Sequence, residues 1–127
     1  MHETIKNLLN IEEKVKQKVS DNNLKKTPNI IAVSKTFKID HIIHLINYGH
    51  IHYGENKVQE ALEKWDEIKK NNNNIKLHLI GKLQTNKVKF AVKLFDYIHS
   101  LDSEKLANKI SSFGNNNLKI FIQVNLG

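Results

Sequence analysis

No cysteine and no arginine occur among the 127 residues, and proline and tryptophan occur once each. Without cysteine the chain can form neither a disulfide nor a thiolate metal site. Without arginine its positive charge lacks the residue best suited to bidentate contacts with phosphates and base edges. All 20 basic residues are lysines, the net charge is +7, and the lysines are spread along the whole chain. Asparagine runs at 71–74 and 115–117, with abundant isoleucine, point to a coding bias towards AT-rich codons. The charge is therefore read as background, and no nucleic-acid partner is expected. No apolar run approaches a membrane span, and Met1-His2-Glu3-Thr4 lacks the basic-then-apolar pattern of a secretory signal. The expectations are no membrane partner and a cytoplasmic location. With 39% hydrophobic residues, 1–127 is long enough for a single domain with a real core.

What is present is an alternation. Ile5, Leu8, Leu9, Val15 and Val19 recur at helical spacing over residues 1 to 20. Pro28 then leads into Ile30-Ile31-Ala32-Val33, an apolar run that reads as a strand buried on both faces. Ile39, Ile42, Ile43 and Ile46 predict a helix stopped by Gly49, and His50 to Gly54 predicts a second strand. Asn56 and Gln59 form a capping-box pattern ahead of a helix bearing Val58, Leu62, Trp65 and Ile68. Lys76 to Ile80 is the third strand, closed by Gly81, and Val88, Val92 and Phe95 mark the next helix. Tyr97 to Ser100 is the fourth strand, and Asp102 or Ser103 caps a helix carrying Leu106, Ile110 and Phe113. Leu118 to Leu126 is the fifth strand. Strands alternating with helices imply βαβ units and a parallel sheet. Two architectures fit, an open doubly wound sheet and the first part of a (β/α)8 barrel, and both place functional groups at the carboxyl ends of strands.

Lys35 stands at such an end. It either marks where the first strand reaches water or sits half in the core, where desolvation would favour a nucleophilic free amine. The other strand ends offer Glu55 with Asn56, Gly81 with Gln84 and Asn86, Asp102, and Asn125. His41 and His44, three residues apart on a helix, lack the carboxylate partner of a zinc signature and read as surface.

Three blocks carry a resemblance. Ala32-Val33-Ser34-Lys35-Thr36 resembles the lysine motif of the pyridoxal-phosphate homeostasis proteins, the YggS or proline-synthetase-associated family. Tyr53-Gly54-Glu55-Asn56-Lys57-Val58-Gln59-Glu60 is similar to that family's second signature, and His78 to Lys87 to its third. Phe121 to Leu126 is similar to its next strand. The resemblance implies a (β/α)8 TIM barrel of the alanine racemase N-terminal-domain type, truncated here to its first five strands. It implies that pyridoxal 5'-phosphate (PLP) is held as a Schiff base on Lys35, with Asn56, His78, Gly81, Gln84 and Asn86 as further cofactor-binding candidates. Asn56 and Asn86 read equally as helix caps, and His78, within a strand of alternating character, reads better as a packed, hydrogen-bonded barrel histidine than as a cofactor contact. Phe37-Lys38 departs from the family, whose members often carry a second lysine and a proline there, so lysine-to-lysine transfer of the cofactor is unsupported.

The function implied is PLP homeostasis: a carrier rather than an enzyme, holding PLP and passing it to apo PLP-enzymes. A PLP-dependent racemase or lyase is the alternative; it needs a second proton-transfer group, for which Tyr53 and Tyr97 are the available tyrosines. A nonfunctional or split-gene fragment is the third reading. Family members are nearly twice as long, and their phosphate-binding residues would lie beyond residue 127. Five strands of a barrel would expose Phe121, Ile122 and Val124 on an unprotected edge. The isolated chain is expected to be unstable, to aggregate, or to pair with another copy or with a separately encoded C-terminal half.

Overall fold

The computed structural model describes residues 1–114 and 117–127; residues 115 and 116, part of the second asparagine run, lie outside the described residues. Helix α1 (Glu3–Asp21) is followed by β1 (Ala32–Val33), α2 (Ile39–Tyr48), β2 (His52–Glu55) and α3 (Val58–Asn71). Then come β3 (Lys76–Leu79), a 3-10 turn (Thr85–Lys87), α4 (Val88–Leu94), β4 (Tyr97–Leu101), α5 (Glu104–Ser111) and β5 (Lys119–Ile122). All neighbouring strands are parallel, and the sheet runs in chain order from β1 to β5. Each crossover thus lands on the adjacent strand. The reversal of strand order that defines a doubly wound sheet is absent among the described residues.

The core lies on one face of this sheet. Period-two alternation sends Tyr53, Leu77, Leu79 and Ile98 to that face, where all four are fully buried. Against them pack Val58, Ala61 and Trp65 of α3, Val88, Ala91 and Val92 of α4, and Leu106 and Ile110 of α5. Their three- and four-residue spacing is what the amphipathic pattern predicted. Tyr53 and Trp65 meet with ring centroids 4.8 Å apart. Local stops behave as the residue types dictate. Gly49 ends α2 at φ 106, and Ser103 caps α5 by accepting from Leu106 N at 3.2 Å.

Several elements differ from the expectations. β1 is an edge strand of two residues rather than a strand buried on both faces. It pairs only with β2, and Val33 is 49% exposed, because nothing among the described residues packs on that side. Phe95 leaves α4 in an extended conformation, and Phe113 lies beyond the end of α5 and is exposed. β5 is shorter than the apolar run that marks it, and all four of its residues are exposed. No helix among the described residues is long and apolar enough to cross a membrane.

Candidate functional site at the carboxyl ends of the strands

Lys35 occupies a turn immediately after β1, closed by the Phe37 N–H donating to Ser34 O at 3.2 Å. Its side chain is exposed, which corrects the expectation of a half-buried amine: the edge position of β1 leaves nothing to strip water from it. The backbone around it is held firmly. Ser34 is buried, its N–H donates to Gly54 O at 2.9 Å, and its hydroxyl makes a short hydrogen bond to Glu55 Oε2. Thr36 sits in the left-handed region at φ 67, and its N–H donates to Glu60 Oε1 at 2.7 Å. A β-branched residue in that conformation is uncommon, so the bond to Glu60 matters.

Glu55 is fully buried and carries three kinds of donor. Besides Ser34, Trp65 Nε1 donates to it at 3.2 Å and Lys64 Nζ at 3.1 Å. A buried carboxylate is tolerated only with such pairing.

The rim beside Lys35 is built from the exits of β2 and β3. Asn56 does not cap α3; the residue at the helix entrance is Lys57, which makes no side-chain cap bond. Asn56 Oδ1 is instead one of three buried side-chain polar atoms without a hydrogen-bond partner among the described residues. Gly81 is required by contact: a Cβ there would lie 2.3 Å from Asn56 O. That close approach ties the two strand exits together. A cavity of about 300 Å³ opens beside them, lined by Asn56, Lys57, Gln59, Lys82, Gln84 and Lys87. Asn86 is not part of it and does not cap α4; it lies within the 3-10 turn and lines a separate depression with Lys105 and Asn108.

His78 lies in the sheet, not on the rim. It is 4% exposed, with Nε2 hydrogen-bonded to His52 Nδ1 and Nδ1 to His99 Nε2, each at 2.9 Å. Tyr97 stacks on His78 at 4.1 Å and Phe121 on His99 at 4.5 Å. Burial, then the charges of His52 and His99, hold the His78 pKa down to about 4 against the opposing pull of Asp96. Burial also lowers His52 and His99. Sequence reasoning missed this row because it arises from the register of three separate strands. Among the described residues no group of three or more histidine or acidic side chains is arranged to hold a metal. His41 is exposed as expected, whereas His44 is half-buried against His2, with centroids 3.8 Å apart.

The structure therefore brings Asn56, Gly81 and Gln84 together, with Lys35 on the exit of the neighbouring strand, and separates His78 and Asn86 from them. No protein-family model matches the chain. A pyridoxal phosphate homeostasis protein of Haemophilus influenzae is 33% identical over 124 residues, covering 94% of this chain and 52% of the relative. One of Buchnera aphidicola subsp. Schizaphis graminum is 38% identical over 125 residues, covering 94% and 54%. This chain is similar over nearly all of its length to pyridoxal phosphate homeostasis proteins. It spans about half the length of these curated relatives. Among solved structures, PipY of Synechococcus elongatus with PLP bound matches at a TM-score of 0.71 and 34% identity, covering 89% of this chain and 55% of PipY.

Proposed function

We propose that this chain contributes to intracellular PLP homeostasis by holding PLP as a Schiff base on Lys35, in the cytoplasm, for supply to apo PLP-enzymes. The observation that carries the reading is the exposed Lys35 amine on a tightly bonded turn in the chain's first motif, in a fold similar to PLP-bound PipY. The residues at the strand exits suit the group. An aldehyde needs an accessible amine, and Asn56 Oδ1, buried and unpartnered, is a polar atom awaiting a donor. When bound, PLP supplies an aldehyde and an electron-poor ring. The chain's own part is to present the Lys35 amine, to hold Asn56 and Gly81 against each other, and to surround the strand exits with Lys57, Lys82 and Lys87.

Two observations support a carrier rather than a racemase or lyase. Tyr53 is fully buried on the helix side, its hydroxyl donates to His50 O at 2.9 Å, and burial pushes its pKa up. Tyr97 is stacked on His78. The Tyr53 phenol is thus unavailable to exchange protons with a group at Lys35, and Tyr97 stands on β4, with β2 and β3 between it and the Lys35 strand.

We read the architecture as five strands of a (β/α)8 barrel forming a single unit over 1–127. The unreversed strand order supports this, as does the face carrying the histidine row, which meets no second layer among the described residues. Phe121 on this face is 53% exposed and Ile122 on the opposite face of β5 76%, so the isolated chain should self-associate or bind a polypeptide that covers the β5 edge. A monomeric isolated chain with a sharp unfolding transition would refute that part. The binding claim is tested by absorbance: PLP added to the protein should give a band at the edge of the visible range that Lys35→Ala abolishes. An unchanged spectrum in the wild type would refute it.

A further inference from the structure

The groups that fix the backbone on both sides of Lys35 belong to α3 and to the end of β2. Lys64 is the centre of this arrangement. Its side chain is 9% exposed, and its ammonium donates to Ser34 O at 2.7 Å and to the two Glu55 oxygens at 3.2 and 3.1 Å. It also lies 3.7 Å from Glu60 Oε1, the atom that accepts the Thr36 N–H. The residue before Lys35 is thus held through its carbonyl and hydroxyl, and the residue after it through its amide. Between these anchors the turn is strained, because Thr36 occupies the left-handed region without being glycine. A buried ion pair of this kind is weak evidence for stability, since apolar residues of similar size would serve a core as well. Its geometry is informative instead: every acceptor around Lys64 belongs to the Lys35 turn or to a carboxylate that bonds that turn.

We infer that Lys64, with Glu55 and Glu60, is a positioning device that sets the conformation of the Ser34–Lys35–Thr36 turn from α3 and so controls how the Lys35 amine is presented. The inference rests on the reading of Lys35 as the PLP attachment point. Lys64 itself touches no reacting atom. The device makes the turn responsive to α3: displacing the helix releases Ser34 O and Thr36 N together, while neutralising Lys64 releases Ser34 O and removes the cation beside Glu60.

The test uses the full chain and two readouts, neither of which is activity. Amide hydrogen exchange follows Thr36, and brief treatment with PLP and cyanoborohydride followed by peptide mapping follows the labelling of Lys35 relative to Lys38. Glu60→Ala should speed Thr36 exchange about tenfold, the loss of one hydrogen bond to a charged group, and lower the Lys35 label by a similar factor. Leu77 and Ile98 amides should keep their wild-type rates, which shows that the core is intact. Lys64→Met should act in the same direction; if it fails to fold, Glu60→Ala decides alone. Glu60→Gln retains an acceptor oxygen and should recover most of the wild-type behaviour. Wild-type exchange at Thr36 and wild-type labelling at Lys35 in Glu60→Ala would overturn the inference. A wild-type protein that labels Lys35 no faster than Lys38 would overturn the attachment reading instead, while Thr36 exchange would still decide whether Glu60 holds the turn.

Discussion

Acidification should destabilise this protein through its histidine row. His78 has a pKa of about 4 in the folded chain against an ordinary 6.5, chiefly because burial disfavours the imidazolium. Between these values the unfolded chain binds the proton and the folded chain does not, so stability rises with pH in that window. The contribution is complete above 6.5 and is lost as the pH falls towards 4. At about 1.4 kcal/mol for each pH unit the gap sets a ceiling of roughly 3 kcal/mol. Half-buried His52 and His99 flank His78 and admit water, so screening reduces the effect to about 2 kcal/mol. Both neighbours are shifted the same way, and two adjacent charged imidazoles would face each other N–H to N–H, so they add to the slope. Urea unfolding at one fixed protein concentration, at about pH 8 and about pH 5, measures the change. His78→Gln should flatten the dependence. Equal stability at the two pH values, or an unchanged slope in His78→Gln, would refute the reasoning.

Other outcomes follow from particular contacts. Gly81→Ala places a methyl 2.3 Å from a backbone oxygen and 2.8 Å from Asn56 Cα, so backbone must move. It should cost about 1–3 kcal/mol in urea unfolding and weaken PLP binding together; a neutral substitution would show that the two strand exits are not in contact. Ser103→Ala removes the α5 cap and should cost about 1 kcal/mol without affecting PLP absorbance. A shift in that absorbance would contradict the separation of α5 from the site.

The alternation of helices and strands was legible because each element carries its own period, and Gly49 and Ser103 announced their ends. The burial of β1 was not. Four apolar residues look alike whether one face or two are covered, and only the sheet order places Ala32–Val33 at an edge. The same fact moved Lys35 from the core to the surface. Asn56 showed a different limit: its spacing to Gln59 satisfied a capping pattern, yet helix entry falls at Lys57, and Gln59 bonds Glu63 at 3.2 Å instead. Lys64 gave no signal beyond its spacing to Glu60, because its role depends on which way α3 faces a turn 30 residues earlier. The His52–His78–His99 row depends likewise on strand register.

The central claim is that Lys35 is the residue to which PLP attaches. The most direct measurement is borohydride reduction of the protein after incubation with PLP at substoichiometric amounts, followed by peptide mapping by mass spectrometry. The pyridoxyl adduct should fall on Lys35, ahead of the chain's other lysines, and Lys35→Ala should leave no dominant site. An adduct spread evenly over the exposed lysines, or concentrated at Lys57, Lys82 or Lys87, would contradict it.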